Sequence, residues 1–545
     1  MSADLVRVRA GVYHDSVHLM RAGRALTELP GVQVAVVAMA TELNLGVAAD
    51  LGFDVPAAGP ADLLIAVRGE GPAALEAAGA ELDRLLAGPA ARPEGGAPGD
   101  LANGVPGGTP VDAPDGVPGG GRWAPRTVRA AARAALRADG GAATLVLVSV
   151  PGPYAFAEAL DAIEAGLPVM IFSDNVPVEQ EVLLKRRAGE VGVLVMGPDC
   201  GTAVVGGAGL GFSNVLRPGP VGVVAASGTG AQQVTCLLDQ AGVGVGHVLG
   251  VGGRDLSAEV GGLSTLHALE TLDADPATEL IVLISKPPAP EVGETVRRAA
   301  EGLATPVVTA LLGPGRGDLT DAAEAVLRAL GVPVPAWRSW PAAARGGPYG
   351  GAGATEDGGA RGHGADGGGR GHGGGAGGNE KDAKDTGDAG DAGDTGGADG
   401  SGEKRARRLR GLYAGGTLCA EARLVARAGE FTDFGDDSYT RGRPHPMIDP
   451  SLRLEALSAV PPGDVALLDV VLGHVADPDP AARLGPEIAS AAARGVRVVV
   501  ALIGSEGDPQ GLDAQGEALR AAGAAVFTSN ARAAAHAARL LGGGP

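Results

Sequence analysis

The chain has 545 residues, with 44 Lys and Arg against 64 Asp and Glu, a formal charge of −20 at neutral pH and an isoelectric point near 4.9. That balance excludes sequence-independent binding to nucleic acid or to an anionic membrane surface, because nothing offsets the phosphate repulsion. The length predicts about three to four domains, with ample apolar content for large cores.

The N-terminal stretch MSADLVRVRAGVYHDS holds no apolar core of signal-peptide length, and no uninterrupted apolar run reaches a membrane span, so a cytoplasmic protein is expected. Residues 1–88 read as a small α/β domain. Leu5–Val8 is a short strand, Ser16–Leu29 a helix with Val17, Met20, Leu26 and Leu29 at helical spacing, and Val32–Ala38 and Asp62–Val67 are buried-type strands. Asp15 and Ser16 stand where an N-cap belongs. A dinucleotide fold asks for a glycine-rich turn after its first strand, and no GxGxxG occurs here. Residues 89–122 are Pro-, Gly- and Ala-rich without periodicity and read as a flexible linker.

From 123 to 219 strands and helices alternate: a helix over Thr127–Leu136, a strand over Ala143–Val150, a helix over Phe156–Ala165, the strand PVMIFSDNVP, a helix over Val178–Ala188 and the strand VGVLVMGPDCG. Short turns between them predict a doubly wound, Rossmann-like sheet. Ligands bind such sheets at the carboxyl ends of the strands, where Pro151, Ser173, Asp174, Asn175, Asp199 and Cys200 fall, some of them as caps. Cys200, Cys236 and Cys419 are odd in number and widely spaced, which predicts reduced, buried thiols rather than a disulfide framework or a zinc site.

The unit 220–343 opens on VGVVAASGTGAQQVTCLLDQAG, in which a β-branched strand hands over to a helix at Ser227, Gly228, Thr229 and Gly230. The first amides of such a helix lack internal partners and carry the positive end of its dipole, so the turn either binds an anion or is closed by its own Ser or Thr. Residues 344–403 form a Gly, Asp and Ala run too polar to bury a core and are expected to be disordered, with His363 and His372 as a weak metal-binding alternative. In 404–545 the plan returns. LRGLYAGGTLCAEARLVARAG repeats strand, Gly415, Gly416, Thr417 and helix; GDDSYTRGRPHP answers GGRDLSAEVG; VALLDVVLG answers LIVLISKPP; and VRVVVALIG answers PVVTALLG. Two similar α/β units are predicted, each presenting a helix N-terminus, and face to face they would hold one doubly charged phosphate between them.

At GPDCGTAVV, AASGTG, GVGGRDLSAEVGG and GRPHPMIDPSLR the chain resembles the FdrA family of acyl-CoA synthetase-like proteins, over its whole length apart from the two linkers. The resemblance implies several doubly wound parallel-sheet α/β domains, one Rossmann-like and two flavodoxin-like units of the succinyl-CoA synthetase type. It places a phosphate-binding set at Ser227, Gly228, Thr229, Gly230, Gly415, Gly416 and Thr417, with Pro151, Ser173–Val176 and Gly197–Cys200 near a CoA site. Departures accompany it. VYHDSVHLM stands where the ligase α subunit has a Gly-rich CoA turn. No histidine lies between His267 and His363, so the phosphohistidine loop is missing; Lys286 replaces its supporting glutamate; and the nucleotide-binding half of the β subunit is absent.

The expected reaction is therefore transfer to or from a pre-made acyl or carbamoyl phosphate, by analogy with the oxamate carbamoyltransfer and purine degradation linked to the family, with further subunits or a homodimer. Lys286, Arg443 and His445 are the candidate catalytic groups, His445 being a carbonyl donor, an acid–base group or a structural residue. Arg254 and Asp255 join the substrate or CoA-like set; Arg254 and Arg443 are suited to forking onto phosphate or carboxylate, or to surface ion pairs. Asp255, Glu259, Asp436 and Asp437 are read as orienting the arginines rather than holding a metal, and no metal is expected. CoA stays open as a ligand through the resemblance alone. The alternatives are a non-catalytic scaffold subunit, and a genuine acyl-CoA ligase whose nucleotide site comes from a partner.

Overall fold

The computed structural model describes residues 3–12, 14, 16–59, 62–86, 127–137, 143–341, 407–440 and 443–542. The Asp15 cap, both expected linkers and His363 and His372 lie outside the described residues.

The N-terminal elements are β1 (Ala3–Arg9), α1 (Ser16–Thr27), β2 (Val32–Met39), α2 (Glu42–Asp50), β3 (Leu63–Gly69) and α3 (Pro72–Leu86). β3 lies between β1 and β2 and is antiparallel to both. Alternation along the strands predicts burial but is silent on strand direction, so this antiparallel sheet was not legible beforehand. Leu19 and Leu26 of α1 and Ala78 and Leu82 of α3 close one face over Val37, Ile65 and Val67.

α4 (Val128–Arg137), β4 (Val146–Val148), α5 (Gly152–Glu164), β5 (Val169–Ile171), α6 (Val178–Val191) and β6 (Val195–Met196) follow, the three strands parallel in the order β4-β5-β6. The hairpin β7 (Thr202–Val205) and β8 (Ala208–Gly211) leaves that sheet and pairs β7 antiparallel to β10 of the next unit.

The duplication read from the sequence is present in the topology. The first copy runs β9 (Val221–Ala225), α7 (Gly228–Gln240), β10 (Val245–Gly250), α8 (Leu263–Asp273), β11 (Leu280–Ser285), α9 (Pro290–Glu301), β12 (Val307–Leu311) and α10 (Leu319–Ala329), with parallel strand order β12-β11-β9-β10. The chain then contributes β13 (Ser339–Trp340) to the second sheet. The second copy runs β14 (Leu409–Tyr413), α11 (Gly416–Ala426), β15 (Glu430–Asp433), α12 (Asp437–Thr440), α13 (Ser451–Ser458), β16 (Val465–Val471), α14 (Pro480–Ala493), β17 (Arg497–Ile503), α15 (Leu512–Ala521), β18 (Ala524–Phe527) and α16 (Asn530–Leu541). Its order β17-β16-β14-β15 matches the first copy strand for strand, and β18 and β13 extend the β17 edge.

One apolar core runs through both copies, with Val234, Leu237 and Leu238 of α7 and Leu418, Cys419 and Ala422 of α11 among its members. Buried polar bonds fix how the copies sit. Gln233 Nε2 donates to Thr528 O at 3.0 Å, the Asn530 N–H to Gln233 Oε1 at 2.9 Å, and Asn214 Nδ2 to Asp508 Oδ2 at 2.7 Å. Glu421 of α11 accepts from the Leu319 N–H and from Asn530 Nδ2, each at 2.7 Å, tying α10 and α16 to α11. Such directional bonds leave α7 and α11 one mutual register, where apolar packing alone would tolerate sliding.

Candidate functional site

The two strand-to-helix turns meet. Ser227 Oγ donates to Thr417 Oγ1 at 2.7 Å, and both residues are buried. Thr229 presses on the second turn so closely that a Cβ on Gly415 would fall 2.8 Å from its Oγ1, and a Cβ on Gly230 would fall 3.1 Å from Thr417 Cγ2. Of the seven predicted phosphate-binding residues, Ser227 thus spends its hydroxyl proton on Thr417, and its Oγ also accepts the Gly230 N–H at 2.9 Å. Gly228, Thr229 and Gly416 are the members reached by solvent.

Lys286 follows the carboxyl end of β11 and is exposed. Its Nζ lies 3.0 Å from where a Cβ on Gly416 would sit, and Asp433 Oδ2 lies near the same point. Asp433 was not singled out from the sequence. It closes β15, and burial raises its carboxyl to about 6, with the Asp469 and Asp436 carboxylates adding to the rise and the Gly435 N–H and Lys286 opposing it. The signal available in the sequence was its place at a strand's carboxyl edge in the second copy.

The loops at the carboxyl ends of β4 to β6 also come together. Asp199 N–H donates to Ser173 O at 2.9 Å, and Gly152 approaches so near that a Cβ there would meet Asp174 O at 2.2 Å. Pro151 is the N-cap residue of α5, Ser173 is buried, and Asp174 and Asn175 are exposed. Cys200 is buried with its thiol pushed up to about 12, an inert residue. Asp199 is open to solvent on one side, yet crowding by the protein, with the Asp174 and Asp437 carboxylates nearby, raises it to about 7 against the pull of Lys286 and Arg254. These loops therefore share one electrostatic neighbourhood with Lys286.

Arg254 and Asp255 are engaged within the protein. Arg254 donates to Val176 O at 2.7 Å and to Glu181 Oε2 at 3.1 Å. Fully buried Asp255 takes Lys185 Nζ at 2.7 Å, the Thr265 hydroxyl at 2.6 Å, and the Ser264 and Thr265 N–H groups in the first turn of α8. Arg443 is exposed beyond α12. His445 packs at a tilt against Phe212, their centroids 5.5 Å apart, and Phe212 stacks on Phe172 at 6.1 Å. Burial, with Arg453 behind it, holds His445 down to about 4, and its Nδ1 accepts the Met447 N–H at 3.2 Å. The imidazole is therefore neutral at pH 7 with its proton on Nε2, suited to donating a hydrogen bond rather than to carrying a charge. Among the described residues no group of His, Cys, Asp and Glu is arranged to hold a metal ion, and no helix is long and apolar enough to cross a membrane.

This fold, with paired helix ends between duplicated flavodoxin-like units, is that of the CoA-ligase class. Comparison with known proteins agrees: residues 412–540 match the family described as CoA-ligase, and residues 1–100 match the AllF heavy metal-associated domain, although that segment contains no cysteine. The protein YahF of Escherichia coli K12 is 31% identical over 97% of both chains. The chain belongs to its family, the FdrA-like acyl-CoA synthetase-like proteins. The succinate–CoA ligase [ADP-forming] subunit alpha-2 of Trichomonas vaginalis is 31% identical over 30% of this chain and 52% of its own, and the malate–CoA ligase subunit alpha of Methylorubrum extorquens 27% over 30% and 57%. The chain thus spans about half the length of these ligase subunits. Among solved structures, ATP citrate lyase from Methanothrix soehngenii aligns at 18% identity over 38% of each chain with a TM-score of 0.28. The dinucleotide-forming acetyl-coenzyme A synthetase 1 of Ca. Korarchaeum cryptofilum aligns at 15% over 76% of this chain and 86% of its own, also at 0.28.

Proposed function

We propose that this protein holds the phosphate of an acyl or carbamoyl phosphate between the first turns of α7 and α11 while the acyl group passes to an acceptor. The observation that carries the reading is the direct meeting of the two turns through Ser227 and Thr417, beside the Lys286 ammonium. The acceptor's nucleophile adds at the acyl carbon, the bond from that carbon to the phosphate oxygen breaks, and the electron pair leaves with phosphate. The Gly228, Thr229 and Gly416 amides and Lys286 stabilise the departing anion, each helix end contributing about 0.3 to 1 kcal/mol when exposed and up to about 2 when partly buried. Neutral His445 donates from Nε2 and carries no phosphate. Carbamoyl is the acyl group favoured by the family's link to oxamate carbamoyltransfer, and partner subunits supply the acceptor site, in keeping with relatives that are themselves named as subunits.

The test is thermal stabilisation and calorimetric titration with carbamoyl phosphate, acetyl phosphate, inorganic phosphate, CoA and ATP. An acyl or carbamoyl phosphate raises the melting temperature in a concentration-dependent way. Replacing Thr229→Ala together with Lys286→Ala lowers that affinity tenfold or more, and an unchanged affinity overturns the reading. A second reading, a CoA-ligase subunit whose nucleotide site lies on a partner, is favoured by the CoA-ligase match over 412–540. It calls for CoA to stabilise the protein by itself. The edge formed by Asp174 and Asp199 suits a polyanionic CoA poorly, since Arg254 beside it is tied to Glu181.

A further inference from the structure

The turn into α11 is held from behind by a buried ion pair. Asp469, the acid inside the apolar strand β16, is fully buried, and its two oxygens accept the Ala414 N–H at 2.7 Å and the Gly415 N–H at 2.8 Å. Arg453 of α13, 2% exposed, lies 3.2 Å from Asp469 Oδ1, donates from Nε to Leu412 O at 3.3 Å and also bonds Asp469 O. Together the pair grips β14 at the Leu412 carbonyl and at the two N–H groups that lead into the helix.

α7 is closed differently: its N-cap Ser227 takes the Gly230 N–H on its own side chain. α11 has no such option, because Thr229 stands where any side chain on Gly415 would project. With Gly415 as N-cap and no side-chain cap, the Gly416, Thr417 and Leu418 N–H groups bond to none of the described residues. A buried ion pair brings no stability that apolar packing would not match. Here it satisfies the two amides before the helix and leaves those of the first turn unspent.

We infer that Asp469, clamped by Arg453, is the positioning residue that fixes the α11 turn with its first amides available to an anion. This role deepens the phosphate reading and rests on it. Two readouts on the full chain test it: hydrogen exchange of peptides covering 409–426 and 221–240, and calorimetric titration with inorganic phosphate and carbamoyl phosphate. In Asp469→Asn, exchange at Ala414 and Gly415 rises tenfold or more, affinity falls tenfold or more, and α7 exchanges as before. Arg453→Met does the same, and Arg453→Lys recovers most of the affinity; this pair carries the test if Asp469→Asn fails to fold. Unchanged exchange at Ala414 and Gly415, or a lower melting temperature with unaltered affinity of the folded protein, overturns the inference. If the wild-type chain binds neither ligand, the phosphate reading fails, while the exchange arm still reports whether Asp469 holds the turn.

Discussion

Asp433 places a titratable acid at the lip of an anion site. Its carboxyl rises from 3.8 to about 6, so between those values the folded chain holds a proton that the unfolded chain has released. Stability therefore falls as pH rises from about 4 to about 6, and the full cost stands above the folded value. Asp433→Asn removes the cost: it melts higher than the wild type at pH 8 and together with it below pH 4. At pH 8 the same variant binds carbamoyl phosphate more tightly, because a carboxylate beside the Gly416 turn no longer repels the dianion; at pH 5 the gain shrinks as the wild-type acid is protonated. Calorimetry at the two pH values checks this, and an Asp433→Asn affinity equal to the wild type at pH 8 would mean the carboxylate does not face the ligand. Asp199, raised to about 7 by crowding and by Asp174 and Asp437, changes charge between the same two pH values in both chains, so the variant is compared with the wild type at each pH rather than across pH.

Between elements, the decisive contact is α7 on α11. A Cβ on Gly415 would lie 2.8 Å from both Thr229 Oγ1 and Thr229 Cγ2. Gly415→Ala therefore forces the helix ends apart, at about 1 to 3 kcal/mol in denaturant unfolding. Thr229→Gly in the same chain restores much of it, since the obstructing atoms are then gone, and a purely additive double variant would place the strain elsewhere. The sequence made this partnership visible because strand, glycine, hydroxyl and apolar helix face recur in the same order in both copies. It did not make Asp469 visible. In VALLDVVLG one acid among apolar residues leaves the strand pattern intact, and its partners at Ala414, Gly415 and Arg453 are set only by the fold. Nor did periodicity reveal that β7 pairs with β10, or that β13 crosses to the second sheet, because strand pairing is decided by partners distant in the chain.

Across the whole molecule, the N-terminal domain is seated on the second copy through α1. Arg24 Nη2 lies 2.8 Å from Asp477 Oδ2 with side chains 12% and 8% exposed, Glu28 takes Arg24 Nε at 3.1 Å and also pairs with Arg483, and Met20 packs against the shared core. Asp477 in turn donates its N–H to Met447 O at 2.8 Å, and the Met447 N–H donates to His445. The docking surface and His445 are therefore two bonds apart. Removing Arg24 strands a mostly buried carboxylate, so Arg24→Ala costs about 1 to 3 kcal/mol, more than an exposed pair would. Asp477→Asn made alone loses the same pair without stranding a charge and costs less. Combined, the two are less than additive by about 0.5 to 3 kcal/mol, the range for groups in contact. Urea unfolding of the four chains measures that coupling, and hydrogen exchange across α1 locates it: faster exchange there in Arg24→Ala alone is the expected sign that the pair seats the domain. Strict additivity, with α1 unaffected, would leave the seating to Met20 and its apolar neighbours.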